Sequence, residues 1–295
     1  MLRINNIKMP IEHNIEDLRK VVEKQLDINK KDIKSFEITG QAIDARNKNN
    51  IMYVYSIDIS LVDEKRYKNF PNIREIEKVN YTTEKVELGD KKRPVVVGSG
   101  PAGLFAALIM AEAGLKPIIL EQGKRVEERQ KDVYKFFKDG KFNKYSNVQF
   151  GEGGAGTFSD GKLTTNTNNF RIQKIYEEFI LAGAEKKITY MSKPHVGTDK
   201  LIGIMKNIRK KIEKLGGEYR FQNKLNSIKY ENNKICKIEV KKIIENYEKE
   251  EELNDENYEI ETDIVVLAIG HSSRDTFYML DEKNIKMERK IFSVG

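Results

Sequence analysis

Cysteine is almost absent from this 295-residue sequence, in which Cys236 is the only one. No intrachain disulfide can therefore form, and no cysteine-based metal cluster can be assembled. Cys236 lies in the strand-like stretch NKICKIEV, where its simplest interpretation is a small apolar residue. The three histidines, His13, His195 and His271, stand far apart without the spacing of metal ligands, so we predict no metal site.

Long hydrophobic runs are missing as well. The longest begins at Leu104 and ends at Glu112, far short of the roughly 20 apolar residues that a membrane-spanning helix needs. The mean hydropathy is −0.62, and the N-terminal segment MLRINNIKMPIEHN has neither the apolar core nor the small-residue cleavage site of a signal peptide. We therefore expect a cytoplasmic protein without membrane contact.

The excess of positive charge is small. The 53 Lys and Arg residues stand against 46 Asp and Glu residues, which gives a formal net charge of +7. This balance is no nucleic-acid signature by itself, so a nucleic-acid partner is not expected. Hydrophobic residues make up 39% and charged residues 34% of the chain, which excludes wholesale disorder, and the length corresponds to about two domains.

The first 90 residues have the pattern of a small α+β domain. Asn14 can cap a helix over residues 14–27, because apolar residues recur at positions 15, 18, 22 and 26. Strand patterns follow around Phe36 and over residues 57–61, where apolar and polar residues alternate. No catalytic constellation is visible in residues 1–90, which we interpret as an interaction or packing module.

From residue 91 the pattern changes to α/β. The stretch VVVGSGPAGLFAALIMAEAGLKPIILEQG predicts a strand, a glycine turn, a helix that ends at Gly114, and a second strand that ends in Glu121. Gly98 permits the tight turn, Gly100 lets the backbone approach a pyrophosphate, and Gly103 lets the helix pack on the sheet. Glu121 follows Gly98 by 23 positions, where a carboxylate can accept both ribose hydroxyls. This site disfavours a 2′-phosphate and leaves FAD and NAD as ligands.

Residues 171–182 and 198–215 have the pattern of two further helices. Residues 219–240 predict a hairpin that turns at Asn232 and Asn233, and the acidic stretch 245–261 predicts a solvated hairpin tip.

Two later motifs favour FAD over NAD. GEGGAGTFSDGKL, residues 151–163, is a second run of glycines where the backbone can approach a cofactor closely. IVVLAIGHSSRD is a buried strand that ends in Ala268–Gly270, where a third strand would reach the carboxyl edge of the sheet beside the cofactor.

With these three motifs the chain resembles the two-dinucleotide-binding-domain flavoproteins of the glutathione-reductase-like superfamily. QFGEGGAGTFSDGKL and KPHVGTDKL more closely resemble the bacterial FAD-dependent dehydrogenases, also called NAD/FAD-utilising dehydrogenases. The resemblance covers residues 90–295, and the N-terminal module is similar to the one that this family carries. It implies a Rossmann-like FAD-binding domain with a β-hairpin insertion, non-covalent FAD, a small-molecule substrate, and NAD(P)H as a candidate electron donor. The lone cysteine excludes flavoenzymes that use a redox-active cysteine pair.

The resemblance also implies which residues bind FAD. These are Gly98, Ser99, Gly100, Ala102 and Gly103 at the pyrophosphate, Glu121 at the adenosine ribose, Leu225 at the adenine through its backbone, Gly153, Gly154, Ala155, Gly156, Thr157, Ala268, Ile269 and Gly270 at the ribityl and flavin end, and Pro101 and Gln122 as further cofactor-binding residues.

Few residues qualify for chemistry. Lys162 follows the second glycine run, where a cation can stabilise the anionic reduced flavin, although a solvated lysine is the alternative. His195, in KPHVGTD, can act as a general acid or base, or can simply bond the backbone of its loop. Arg129 can reach a cofactor phosphate, but a charged helix such as VEERQKDVYKFF is usually a solvated face. His271, Ser272 and Arg274 are interpreted as the cap of a helix that begins near Asp275.

The predicted function is an FAD-dependent oxidoreductase, a dehydrogenase that moves hydride between a substrate or NAD(P)H and bound FAD. One alternative is an FAD-binding RNA-modification or RNA-associated protein, and another is a non-catalytic FAD-binding module. The chain lacks the late Gly-Asp segment and the complete substrate domain of such flavoproteins and stops at IFSVG. We therefore expect a module over residues 1–90 and an incomplete FAD-binding domain over residues 91–295, together an N-terminal portion that is inactive alone. The sequence does not indicate an oligomeric state.

Overall fold

The computed structural model describes residues 1–67, 70–163, 165, 167, 169–244 and 256–291, and it begins with an antiparallel sheet. The first elements are β1 (Leu2–Pro10), α1 (Ile15–Leu26), β2 (Ile33–Asp44), β3 (Met52–Leu61) and β4 (Ile73–Glu75). The strands lie in the order β2-β3-β1-β4, and every neighbouring pair is antiparallel. Helix α1 buries Leu18, Val22 and Leu26 in the same core as Ile57 and Ile59. The predicted small α+β module is confirmed.

A strand, helix, strand unit follows. It consists of β5 (Val95–Val97), α2 (Pro101–Ala113) and β6 (Ile118–Glu121), and α3 (Val126–Asp139) comes next. Strands β5 and β6 pair in parallel. Helix α2 ends at Gly114, which adopts the left-handed conformation with φ +96° as the sequence predicts. The turn between β5 and α2 therefore lies at the glycine-rich residues where the sequence predicts it.

The remaining helices and strands confirm most of the predicted elements. They are α4 (Arg171–Leu181), α5 (Thr198–Lys214), β7 (Glu218–Phe221), β8 (Asn223–Glu231), β9 (Lys234–Lys242), β10 (Asn257–Glu261), β11 (Val265–Leu267) and α6 (Arg274–Glu282). Strands β8 and β9 form the predicted hairpin, with Asn232 and Asn233 at φ +51° and +59°. Strand β10 pairs with β9, while residues 245–255 of the predicted acidic tip lie outside the described residues. The end of the chain, residues 292–295, also lies outside them.

Strand β7 corrects the predicted hairpin. The sequence prediction joined residues 219–240 in one hairpin, but Glu218–Phe221 pairs in parallel with β6 instead. Gln222 has φ +56°, so it interrupts the extended backbone between β7 and β8. The hairpin therefore begins only at Asn223, because the backbone changes direction at Gln222.

The parallel sheet has the order β11-β5-β6-β7. In chain order its strands read fourth, first, second, third, which read from the other edge is the third, second, first, fourth order of a Rossmann fold. The direction of the winding changes between β5 and β11, and ligands of such sheets bind at the carboxyl ends of the strands at this point. The predicted Rossmann-like domain is confirmed.

The chain divides into two compact units. One contains residues 1–81 and 162–196, and the other contains residues 82–161 and 197–295. This differs from the sequence-based division at residue 90, because residues 190–192 bond to β2: the Gln41 N–H donates to Tyr190 O at 2.6 Å, and the Ser192 N–H donates to Gln41 O at 3.1 Å. Residues 162–196 therefore belong with the N-terminal sheet.

Within the described part of the chain, we find no helix whose length and apolar character would let it cross a bilayer.

Candidate functional site

The first glycine turn is shaped by close backbone contacts. The Gly98 N–H donates to Leu120 O at 2.8 Å, and Gly98 has φ +95°. A Cβ atom on Gly98 would overlap Ala268 O, and one on Gly103 would overlap Gly98 O. Both positions therefore require glycine. Helix α2 begins at Pro101 immediately after this turn, and the N–H groups of its first turn have no partner within the helix. Such a helix start is suited to a phosphate.

The second glycine run packs against the first. The Gly153 N–H donates to Ser99 O at 2.9 Å. A Cβ atom on Gly154, which has φ +66°, would lie 3.1 Å from the Gly100 Cα. The two glycine turns thus approach each other more closely than turns with side chains could.

A cavity of about 610 Å³ opens at the carboxyl ends of β5, β6 and β11. Twelve of the residues predicted to bind FAD line it together: Gly98, Gly100, Pro101, Ala102, Glu121, Gln122, Gly154, Ala155, Leu225, Ala268, Ile269 and Gly270. The other five, Ser99, Gly103, Gly153, Gly156 and Thr157, do not line it. Four of these five are buried. The structure therefore unites three motifs that lie far apart in the sequence.

Further residues line this cavity that sequence reasoning did not assign to it. They are Val97, Leu120, Gln149, Phe150, Gly151, Asn223, Lys224, Leu267, His271, Ser272, Ser273, Thr276, Phe277, Leu280 and Met287. Lys224 directly precedes Leu225 and pairs with Asp275 of α6, so its place next to a predicted residue could have indicated it. The helix α6 begins where the sequence predicts it, but its N-cap is Ser273, which the prediction did not name. Ser273 and its neighbours His271 and Ser272 also line the cavity.

Glu121 lies at the end of β6 with only 4% of its surface exposed. Its Oε2 accepts hydrogen bonds from the Ser99 N–H at 2.8 Å and from the Ser99 hydroxyl at 2.9 Å. Its Oε1 accepts from the N–H groups of Gly123 at 2.9 Å and Gly151 at 3.0 Å. These four donors match the four acceptor sites of a carboxylate. Glu121 thus ties both glycine turns to the end of β6, and its role at a ribose stays a prediction.

Arg129 contradicts the prediction of a solvated residue, since it is fully buried. Its guanidinium donates four hydrogen bonds to backbone carbonyls: from Nε to Asn147 O at 2.8 Å, from Nη1 to Gly151 O at 3.2 Å and Glu152 O at 2.6 Å, and from Nη2 to Val148 O at 2.8 Å. Burial lowers the pKa of Arg129 to about 10, which leaves it charged at neutral pH. Arg129 therefore binds the loop at residues 147–152.

Glu152, in the same loop, is a second fully buried ionisable group. Its Oε2 accepts the Val126 N–H at the start of α3 at 2.8 Å, and its Oε1 lies 3.2 Å from Arg209 Nε. Burial raises the pKa of Glu152 to about 7 although Val126 and Arg209 favour the ionised form. The loop is thereby also attached to α3 and α5.

Lys162 and His195, the residues predicted for catalysis, face each other across an isolated antiparallel bridge. The next bond of this pairing runs from the Leu163 N–H to Pro194 O at 2.8 Å. Both side chains are exposed, and both residues belong to the unit that contains the N-terminal sheet. The structure brings the two together although 33 positions separate them in the sequence.

Comparisons with known proteins agree with the geometry of the second unit. Residues 93–129 match the family model described as an FAD binding domain, and residues 1–60 match a domain of unknown function, DUF8436. The chain therefore carries an FAD-binding domain, and FAD is its cofactor, which confirms the cofactor prediction.

One relative and several solved structures are similar to larger parts of the chain. A protein of Clostridium beijerinckii described as uncharacterized is 45% identical over 302 residues, covering all of this chain and 53% of the relative. The chain thus spans about half of that relative's length. THI4 of Thermovibrio ammonificans is similar with a TM-score of 0.41 and 17% identity. The match covers 66% of this chain and 64% of the THI4 chain.

The flavin-dependent brominase Bmp2 is similar with a TM-score of 0.37 and 15% identity. The match covers 66% of this chain and 41% of the Bmp2 chain. The polycyclic ketone monooxygenase of Thermothelomyces thermophila is similar with a TM-score of 0.35 and 15% identity. The match covers 65% of this chain and 24% of the monooxygenase chain. Because all three TM-scores are below 0.5, we base no argument on these structures.

Proposed function

We propose that the protein is an FAD-dependent oxidoreductase that moves hydride between a small-molecule substrate or NAD(P)H and bound FAD. We further propose that it belongs to the FAD-dependent dehydrogenases that its three motifs resemble. The observation that carries this proposal is that the start of α2, Glu121 and Ala268–Gly270 meet in one cavity at the carboxyl edge of a parallel sheet. Such an edge is where a dinucleotide lies in a Rossmann-like domain.

The residues of this cavity fit the parts of FAD. The first turn of α2 offers N–H donors and a positive helix end to the pyrophosphate. Gly100 and Gly154 leave room for it, since neither carries a side chain where the two turns meet. Leu225 borders the adenosine end, and Ala268–Gly270 border the ribityl end. When bound, FAD supplies the hydride chemistry, and these residues bind and orient it.

Glu121 can accept a ribose hydroxyl only if one of its four donors leaves. Three of them are backbone N–H groups, whereas the fourth is the Ser99 hydroxyl, which can rotate about its side-chain bonds. We therefore propose that a ribose hydroxyl takes the place of the Ser99 hydroxyl at Oε2. The exchange keeps the buried carboxylate fully bonded, which supports a ribose at this position.

Lys162 and His195 remain our candidates for the chemical step. The two residues pair across one backbone bridge, which places the lysine and the histidine next to each other. The sequence assigns Lys162 as a cation for the reduced, anionic flavin and His195 as a general acid or base, and both roles stay predictions.

The first test of the proposal is the cofactor. The 295-residue chain and the longer Clostridium relative are purified, the bound flavin is released by heat, and its identity is determined. FAD is expected from both, and FMN or the absence of flavin after saturation with FAD would contradict the proposal. Anaerobic addition of NADH or NADPH should then bleach the flavin of the longer protein, whereas an unbleached flavin would remove NAD(P)H as the donor.

A matched pair of variants locates the site. Ala102→Asp places a carboxylate in the first turn of α2, where it suits the helix dipole but repels a pyrophosphate. FAD binding should weaken by about tenfold or more, while the melting temperature of the protein without FAD stays the same or rises. Ala42→Asp, the same substitution at an exposed position of β2, should change neither quantity. Equal FAD affinity of both variants would show that FAD does not lie at α2.

A further inference from the structure

The loop of residues 147–154 forms one wall of the cavity, through Gln149, Phe150, Gly151 and Gly154. It contains neither helix nor strand, so no regular hydrogen-bond ladder holds its backbone. Its position must come from other contacts. Four of these contacts come from one side chain outside the loop, that of Arg129 on α3.

Arg129 holds the loop with nearly all of its donors. Four of its hydrogen bonds end on the carbonyls of residues 147, 148, 151 and 152. Its guanidinium carbon also lies 4.8 Å from the centre of the Phe158 ring. Arginine suits this role because its planar group has five N–H donors in a fixed arrangement, whereas lysine offers a single ammonium group.

Gly151 shows how closely the loop follows this side chain. Its N–H donates to Glu121 Oε1, and its carbonyl accepts from Arg129 Nη1, so both sides of the residue are held. A Cβ atom on Gly151 would overlap the Arg129 Cδ, and Gly151 has φ +121°, which only glycine adopts easily. The loop therefore lies directly on the stem of Arg129.

We propose that Arg129 is a positioning residue for the cofactor, which holds the loop of residues 147–154 in the shape that FAD requires. Arg129 is fully buried and does not line the cavity, so it acts on FAD through the loop and not by contact. The inference rests on the proposed function, in which FAD occupies this cavity. A protein whose loop is ordered in only a fraction of molecules binds its ligand more weakly by that fraction.

The same domain contains a matched control. Arg93 also binds the backbone, with bonds to Lys116 O at 2.7 Å and Pro117 O at 3.5 Å, and it pairs with Glu218 at 2.7 Å. These residues lie at the amino ends of β5, β6 and β7, at the opposite edge of the sheet from the cavity. Arg93→Lys should therefore lower stability without affecting the loop.

The experiment compares Arg129→Lys, Arg93→Lys and the unmodified chain in three measurements. These are the FAD dissociation constant by flavin fluorescence titration, the melting temperature without FAD, and the hydrogen exchange of the amides of residues 148–154 without FAD. Arg129→Lys should weaken FAD binding about 10- to 100-fold and speed the exchange of these amides. Arg93→Lys should lower the melting temperature but leave FAD binding and the loop amides unchanged.

A second variant guards against loss of folding. Phe158→Leu keeps Arg129 and removes only the ring beside its guanidinium, so it should weaken FAD binding and speed the exchange of the loop amides by a smaller amount than Arg129→Lys does. Unchanged FAD affinity in Arg129→Lys, or an equal loss in Arg93→Lys, would refute the proposal. An unmodified chain that binds no FAD would refute the proposed function first and this inference with it.

Discussion

Replacement of Glu121 by glutamine tests whether one carboxylate ties the two glycine turns together. The substitution keeps the shape of the side chain but turns one acceptor oxygen into an NH₂ donor. If the NH₂ group stood at the position of Oε1, it would face the N–H groups of Gly123 and Gly151. At the position of Oε2 it faces the Ser99 N–H and the Ser99 hydroxyl, which can rotate to accept. The amide therefore adopts the second orientation, with one backbone N–H left unpaired.

The expected loss follows from these contacts. A buried N–H without an acceptor costs about 1–3 kcal/mol. The two bonds that remain at the carbonyl oxygen lose their ionic character, which lowers each by about 1 kcal/mol. Part of this loss is offset because a buried charge is removed. We expect Glu121→Gln to reduce the free energy of unfolding without FAD by about 2–4 kcal/mol, a large share of the 5–15 kcal/mol typical of a domain.

Urea unfolding followed by circular dichroism measures this loss. The matched control is Glu218→Gln on the neighbouring strand β7, where the carboxylate pairs with Arg93 and Arg220, each at 2.7 Å, but is 40% exposed. Exposed ion pairs contribute about 0–1 kcal/mol, so the control should unfold almost as the unmodified chain does. If Glu121→Gln loses no more stability than Glu218→Gln, the four hydrogen bonds at Glu121 do not form in solution.

Four further outcomes are expected. The pKa of Glu152, raised by burial from 4.5 to about 7, means that the folded chain keeps a proton that the unfolded chain releases. This stabilisation is complete below pH 4.5 and is lost as the pH rises to about 7, by roughly 3 kcal/mol, and Glu152→Gln should flatten that slope in urea unfolding at several pH values. Ser99→Ala should leave FAD affinity equal or slightly higher in a titration, and a tenfold loss would contradict the exchange at Glu121. Gly103→Ala should lower the melting temperature, since its Cβ would overlap the preceding turn. Lys162→Met should lower the flavin reduction potential in a spectroelectrochemical titration at unchanged FAD affinity, and an unaltered potential would remove Lys162 from the chemistry.

The glycine turn was predictable from the sequence because most of its signal is local. A Cβ atom on Gly103 would overlap Gly98 O in the same turn, and the strand, helix, strand pattern surrounds both glycines. The close contact of Gly98 with Ala268 has no local signal, because Ala268 lies far along the chain. Glu121 was predictable as a residue at the end of β6. Its four donors were not, because Gly151 reaches it from 30 positions further along the chain.

Arg129 and β7 were not predictable for related reasons. The periodicity of α3 is polar around Arg129, and its burial results from a loop about 20 positions later that has no periodic pattern of its own. Strand β7 has four residues and directly precedes a hairpin strand, so only its pairing with β6 separates the two. The pairing of Lys162 with His195 is likewise a long-range contact without a local signal.

The strand order β11-β5-β6-β7 has a consequence for synthesis on the ribosome. Strand β5, with three buried valines, is central in the sheet, yet Val265 at the start of β11 follows Val97 by 168 positions. At a translation rate of about 5–20 residues per second, roughly 8–34 seconds pass before the partner on that side of β5 is made. During this interval the nascent chain presents an apolar strand edge that can pair with other chains. We therefore expect a chaperone that covers this edge until β11 pairs with β5 to raise the yield of the folded chain.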